Sequence, residues 1–493
     1  MSLRPIFHTE WPIHAAPVLA DLDRDGELEL LIAAEALYAL RPDGHRLRGF
    51  PFYAGGAFAS PPAISDLNGD GQMEIAIGCD DDRVYVLDSR GRILPGWPCR
   101  TEGDVYGPPT LADLDGDGQL EVLAGSDDGR VYAWRADGCL LPGWPQATGG
   151  FVSASPTVSN LDRDRSLVVI AGSWDGHVYS WRADGSPLPG WPQPTGHFVW
   201  STPALDDLDG DGCPEIIAAS DRVFVWRWNG TLLPGWPQPM RSFAAAPPVL
   251  VDLDQDGRQE IVVAADRLYG WRGDGTPLPG FPVDLGTFLW AAPGAADVDG
   301  DGRPELVAGG WDGCLYLLRW DGGLLSAIRI GAPIFAAPLI HQGGKGPEIL
   351  ISAWDGSLYR LRTEDFQPAN TGGPRPARWI EWTWMPLRGL LRLPEDTPAF
   401  LVVEGPPSPR ALLLYQREGE STARPIPLLV HGGQLVGVFP PLRAGVRGRI
   451  WMKTAPEADP HLGPVEFRIV PHREARWRRW RRGIRRRWRW IWP

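Results

Sequence analysis

Carboxylates recur along this chain in one nine-residue order, Asp-x-Asp-x-Asp-Gly-x-x-Glu. The first copy supplies Asp21, Asp23, Asp25 and Glu29 around Gly26. Five further intact copies supply Asp66, Asn68, Asp70 and Glu74; Asp113, Asp115, Asp117 and Glu121; Asp207, Asp209, Asp211 and Glu215; Asp252, Asp254, Asp256 and Glu260; and Asp297, Asp299, Asp301 and Glu305. Another copy, fourth in order, is damaged: Asn160, Asp162 and Asp164 remain, but Arg165 and Val168 replace the glycine and the glutamate. Oxygen donors at positions 1, 3, 5 and 9, around a glycine that permits a tight turn, are what a hard divalent cation requires. Three or four carboxylates in so short a loop repel one another unless neutralised. The pattern points to calcium, at about six sites, because magnesium demands a stricter octahedron and keeps more of its water. All ligand positions are filled by protein, leaving no open position of the kind metal catalysis uses, so the ions are expected to be structural.

The elements that hold these loops follow from their spacing. First residues of successive loops are 45, 47, 47, 47, 45 and 45 residues apart, so each loop belongs to a larger repeat. Residues 108–145 show the whole unit. A proline-led strand runs from Pro109 into the loop, and Glu121 to Gly125 is a second, apolar strand. Arg130 to Trp134 alternates as a third strand, and Asp137-Gly138 marks a hairpin turn. The segment Leu141-Pro-Gly-Trp144-Pro145 reads as a fourth, proline-marked edge strand. Four short antiparallel strands per roughly 45 residues is the period of a propeller blade. An eighth unit around Pro338 has lost its loop (His341 to Glu348) and shows no fourth strand. An unattached segment, Phe7 to Pro12, resembles the elements that end other units, such as Gly49-Phe50-Pro51 and Gly96-Trp97-Pro98. The expected fold is therefore all-β, an eight-bladed β-propeller closed by an N-terminal strand, with seven blades as the alternative.

Repeats stop near residue 370. From 371 to 472 apolar runs such as Ala399–Val403 and Val465–Val470 alternate with turn residues, which suggests a small Ig-like β-sandwich. The tail from 473 to 493 holds ten arginines, one glutamate and five tryptophans. Such a segment suits an anionic surface or an anionic polymer. The formal charge of −13 says little about partners, because much of it sits in the loops. Five scattered cysteines make neither a disulfide framework nor a zinc site. Nothing singles out a sequence-specific nucleic-acid site, and no apolar run of the length needed to span a membrane occurs. Histidines are few and dispersed, and no Ser-His-Asp or Cys-His signature supports catalysis. Met1 to His8 lacks the apolar core of a secretory signal, whereas weak calcium loops load best where calcium is plentiful. The expected location is extracellular or at the cell surface.

Loops and blades together resemble the FG-GAP/VCBS propellers, the repeat class of integrin α-subunit heads and many bacterial surface proteins, across roughly residues 7–362. The resemblance implies that each loop joins the first and second strands and adds the position-7 carbonyl to the calcium ligands. Here those carbonyls belong to Glu27, Gln72, Gln119, Cys213, Arg258 and Arg303. It covers neither the C-terminal domain nor the tail. The opposite face of such a propeller carries the second-to-third turns, with Trp174-Asp175, Trp311-Asp312 and Trp354-Asp355. Fourth-to-first connections on that face present His14, Tyr106, Trp200, Trp290 and Phe335. Rings beside carboxylates on a concave surface could stack on and hydrogen-bond a sugar or a peptide, although packing between neighbouring blades is the better account of most of them. The expected function is non-catalytic binding or adhesion, carbohydrate or protein being the ligand. A polysaccharide lyase or hydrolase, and an architectural surface or filament subunit, are the alternatives.

Overall fold

Eight prolines frame the repeat: Pro17, Pro62, Pro109, Pro156, Pro203, Pro248, Pro293 and Pro338 each stand immediately before a short strand. Proline has no N–H to give to a ladder, so it fits where a strand begins. The computed structural model describes residues 4–161, 166–343 and 346–366, and beyond these the strands between Trp384 and Val470. In blade three, Thr110–Ala112, Glu121–Ser126, Arg130–Trp134 and Gln146–Ala147 pair antiparallel in chain order. Eight such sheets follow one another around the ring. Blades one and six have three regular strands, their fourth reduced to single bridges, Leu37 with Phe52 and Leu268 with Val283. Blade seven has the longest fourth strand, Leu324–Arg329.

Blades pack face to face, so each second strand is covered on both sides. Glu121–Ser126 is buried along its whole length, as are its counterparts Glu29–Ala33 and Glu260–Ala264. Among the described residues, apolar side chains gather into eight clusters, each shared by two neighbouring blades. The cluster of Leu350 and Leu358 with Ile13, Ile32 and Tyr38 joins blade eight to blade one. Ring closure thus removes the last exposed sheet face.

Two expectations change in detail, and a third stands. The Leu-Pro-Gly-Trp-Pro segments are turns rather than strands. Leu140 makes one bridge to Trp134, the Trp144–Pro145 peptide is cis, and the true fourth strand, Gln146–Ala147, follows the turn. What fixes this shape is the next blade. The Trp144 indole N–H donates to the Ala183 carbonyl at 2.9 Å, and Trp97, Trp191 and Trp236 reach Ala136, Trp228 and Gly273 in the same way. Phe50 and Phe281 fill the place in blades one and six without that bond. The turn's glycine is equally constrained: Gly96 sits at φ 87°, and a Cβ there would lie 1.8 Å from the Asp137 carbonyl oxygen.

A second change concerns the N-terminus. Phe7–His8 does complete blade eight, pairing with Leu358 and Ser357, so closure occurs as expected. The likeness of Trp11–Pro12 to the Trp–Pro turns is coincidental, however. Thr9 Oγ1 donates to the Trp11 carbonyl as Thr101 does to Gly103 and Thr148 to Gly150. That equivalence places Trp11 beyond the fourth strand, in the connection to blade one. Third, the count of eight blades stands and the seven-bladed alternative falls.

Residues 377–492 form a second unit. Its strands make one sheet in the order Leu391–Pro394, Val465–Val470, Arg447–Lys453, Leu412–Arg417, Arg424–Ile426, with Trp384–Met385 also on Arg447–Lys453. A second sheet has Ala399–Val403, Gln434–Phe439 and Leu428–His431. The Arg/Trp-rich segment 473–493 lies outside the described residues.

Candidate metal centres and the opposite face

Each acidic loop is wound tight by its own carboxylates. In blade six Asp252 Oδ2 accepts from Gly257 N–H at 3.0 Å, Asp254 Oδ1 from Asp256 N–H, and Asp256 Oδ1 from Arg258 N–H at 2.9 Å. Glu260, the first residue of the second strand, reaches back so that Oε2 accepts from Leu253 N–H at 2.8 Å. The bonds recur in blade two, where Asn68 Oδ1 accepts from Asp70 N–H and Glu74 Oε2 from Leu67 N–H. These local bonds consume one oxygen per carboxylate.

The structure brings positions 1, 3 and 9 together. Oxygens of Asp21, Asp23 and Glu29 lie within 4.8 Å of one another, as do those of Asp113, Asp115 and Glu121; Asp207, Asp209 and Glu215; Asp252, Asp254 and Glu260; and Asp297, Asp299 and Glu305. The position-5 aspartates Asp25, Asp70, Asp117, Asp211, Asp256 and Asp301 stand apart from these groups, each accepting from the N–H of position 7. Buried oxygens with no hydrogen-bond partner remain on Asp21, Glu29, Asp66, Asp113 and Asp252. Burial, and then the neighbouring aspartates, push the glutamate carboxyls up, Glu215 and Glu260 to about 7. Convergent, unpartnered oxygens on mutually repelling carboxylates are a donor set that fits a cation.

The two defective repeats solve the same problem differently. In blade four Val168, 3% exposed, fills the glutamate's place with an apolar side chain; Asp162, Asp164 and Arg165 lie outside the described residues. In blade eight Glu348 is retained, paired across the sheet with His341 and Arg362. The Arg362 guanidinium reaches its carboxylate at 2.9 Å and Arg360 at 3.4 Å. Where the loop has gone, a fixed cation stands beside the buried glutamate.

On the other face the connections into each blade alternate. Ile13, Val105, Val152, Val199, Leu289 and Ile334 point into the blades and are buried. The residues two apart that flank them point outward and are half-buried rings in much of the circle. His14 meets Trp354 at 4.6 Å, Trp354 meets Phe335 at 4.6 Å, and Phe335 meets Trp311 at 5.4 Å. Trp311 stacks on Trp290 at 5.6 Å, and Trp290 touches Phe288 at 5.9 Å. Phe288, Phe243, Phe198, Trp174 and Phe151 continue the run in steps of 5.2 to 6.0 Å. Trp200 bridges it, 4.6 Å from Trp174 and 5.5 Å from Trp290. Burial among these rings pushes the His14 imidazole down to about 4, so it is neutral at ordinary pH. Tyr106 stands in blade three, where its hydroxyl donates to Asp104.

The carboxylates expected beside the rings have other duties. Asp175 accepts from the Tyr179 hydroxyl at 2.6 Å and from Gly149 N–H at 2.8 Å. Asp312 accepts from the Tyr316 hydroxyl and Cys314 N–H, and Asp355 from Ser357 N–H. They brace turns. Phe151, Phe198, Phe243 and Phe288 are additions to the face that the sequence reading passed over. Their spacing of 47, 45 and 45 was a usable signal, since each lies two residues before a position that a ring occupies in other blades.

The model of the FG-GAP-like repeat family matches residues 66–124, 207–263 and 252–308. With eight blades and the loop between first and second strands, that decides the family. This chain is an FG-GAP repeat β-propeller. The FG-GAP propeller has the fold of the Vibrio cholerae biofilm matrix protein Bap1, at 16% identity and a TM-score of 0.55, covering 76% of this chain and 91% of that one. It also has the fold of the computationally designed Ika8 protein, at 17% identity and a TM-score of 0.53, over 73% of this chain and 99% of the other. No curated protein matches its sequence. No helix among the described residues is long and apolar enough to cross a membrane.

Proposed function

We propose that this propeller is a non-catalytic binding or adhesion protein, stabilised by about six structural calcium ions, that takes a glycan or protein ligand on its aromatic face. One observation carries the reading: the unbroken run of rings from Phe151 to His14, half-buried except for the buried Phe198, spanning blades four to eight and the entry to blade one. Flat apolar faces in series suit stacking against sugar rings or the side chains of an extended peptide. Acid–base chemistry on this face has little support, because Asp175 and Asp312 are already bonded to tyrosine hydroxyls and backbone N–H groups. In the metal loops, side chains at positions 1, 3, 5 and 9 and the position-7 carbonyl are the proposed ligands. A biofilm matrix protein with the same fold is compatible with adhesion, and calcium of moderate affinity suits an extracellular or surface location. Glycan-array and peptide-array binding, with and without a chelator, tests the reading. Binding is expected to fall at least tenfold in a Phe288→Ala, Trp290→Ala double variant. Undiminished binding in that variant, or self-assembly with no binding at all, overturns it.

A further inference from the structure

One arginine per blade answers the metal loops. The residue that ends the third strand or directly follows it is Arg41, Arg135, Arg182, Arg227, Arg272, Arg319 or Arg362 in seven blades, and Asp88 in blade two. In blades one, three, five and six its Nη2 holds Oδ2 of the position-3 aspartate: Arg41 on Asp23 at 2.8 Å, Arg135 on Asp115 at 3.1 Å, Arg227 on Asp209 and Arg272 on Asp254 at 2.7 Å each. Blade two breaks the rule on both sides at once. Position 3 is the neutral Asn68, and Asp88 turns away to Arg92. Blade seven breaks it on one side only. Asp299 is charged, but Arg319 is drawn to Asp321 of its own hairpin turn at 3.2 Å. Its other nearby cation, Arg303, lies over the Trp320 ring.

Counted over ligand positions and this arginine, four carboxylates and one guanidinium leave −3 in blades one, three, five and six. Three carboxylates leave −3 in blade two, and four without a guanidinium leave −4 in blade seven. Blade eight carries the rule to its limit: with its loop gone, Arg362 sits on Glu348. We infer that the arginine after the third strand sets the cation affinity of each loop, and that blade seven, which lacks the contact, holds the tightest of the six sites. The inference rests on the calcium reading above. The arginine is a positioning residue: it occupies one oxygen of the third aspartate, fixes the rotamer and opposes the incoming charge. Ligand charge tunes affinity in oxygen-ligand loops, and one unit charge several ångströms from a divalent ion in a watery setting is worth about tenfold.

The test is a calcium titration of the chelator-stripped full chain, read by calorimetry and by competition with a chromophoric chelator. One site about tenfold tighter than the other five is expected. Arg227→Gln is expected to create a second tight site. Asp299→Asn, which copies Asn68, is expected to return blade seven to the weaker class with the number of bound ions unchanged. Equivalent sites in the parent chain, or an Arg227→Gln variant with no gain, overturn the inference and leave the calcium reading standing. Failure to take up calcium at all overturns both.

Discussion

Glu260→Gln offers a prediction whose sign depends on calcium. The Glu260 side chain is 1% exposed, with Oε2 bonded to Leu253 N–H and its carboxylate facing Asp252 and Asp254. Without an ion, burial, and after it Asp254 and Asp256, raise its pKa from an ordinary 4.5 to about 7. A carboxyl raised in the folded state adds stability that is complete below its unfolded value and lost as pH climbs through the folded one. Ion-free protein should therefore lose stability between about 4.5 and 7, and at higher pH Glu260 is a buried charge facing other carboxylates. The introduced amide keeps the shape and the bond to Leu253 and removes the charge. In chelator above pH 7 the variant should be at least as stable as the parent. In excess calcium the order should reverse, since the parent gains RT ln(1 + [L]/Kd) from that site, about 2.7 kcal/mol at a hundredfold excess over Kd, and the variant forfeits most of it. Thermal unfolding followed by circular dichroism, in calcium and in chelator, reads both arms. A variant equally destabilised in both media would refute the argument, because the glutamate would then be stabilising the loop without a cation.

Other expectations concern the frame. Trp144→Phe, which copies Phe50 and Phe281, should cost about 1–2 kcal/mol for the lost bond to Ala183, and Trp144→Ala about 3–5 kcal/mol, both read by denaturant unfolding. A Trp144→Phe variant as stable as the parent would show that the indole N–H does nothing. Gly96→Ala and Gly44→Ala share a positive φ, but only the first places a methyl against a neighbouring backbone. Gly44→Ala should cost about 1–2 kcal/mol and Gly96→Ala visibly more, in the same assay. Removing residues up to His8 strips the outer strand from Ser357–Arg362, so amide exchange there should rise while blade three stays protected.

Much of this could be read along the chain because its signals are local. A nine-residue loop, a proline before each first strand and a period near 45 residues are all short-range patterns, and they specified the blades, the loops and their number. The fourth strand was misplaced because a Trp–Pro pair looks the same locally in a turn and at a strand edge. The partner that decides, a carbonyl such as that of Ala183, lies 39 residues away in the next blade. Alternation of Phe, Val and Trp in 198–200 shows which rings share a side of one connection. It does not show that Phe198 and Phe243 meet at 5.3 Å, since that contact exists only when consecutive blades are set side by side.

By itself, then, the sequence determined the repeat, the acidic loop of each intact copy and the fact of closure, because each is written within one repeat or at its ends. Only the tertiary structure decided how the charges and rings are shared out. Arg227 finds Asp209 while Arg319 turns to Asp321, and both follow a third strand in the same register. The choice belongs to side chains competing for partners in space, and a linear pattern carries no record of which partner lies nearer.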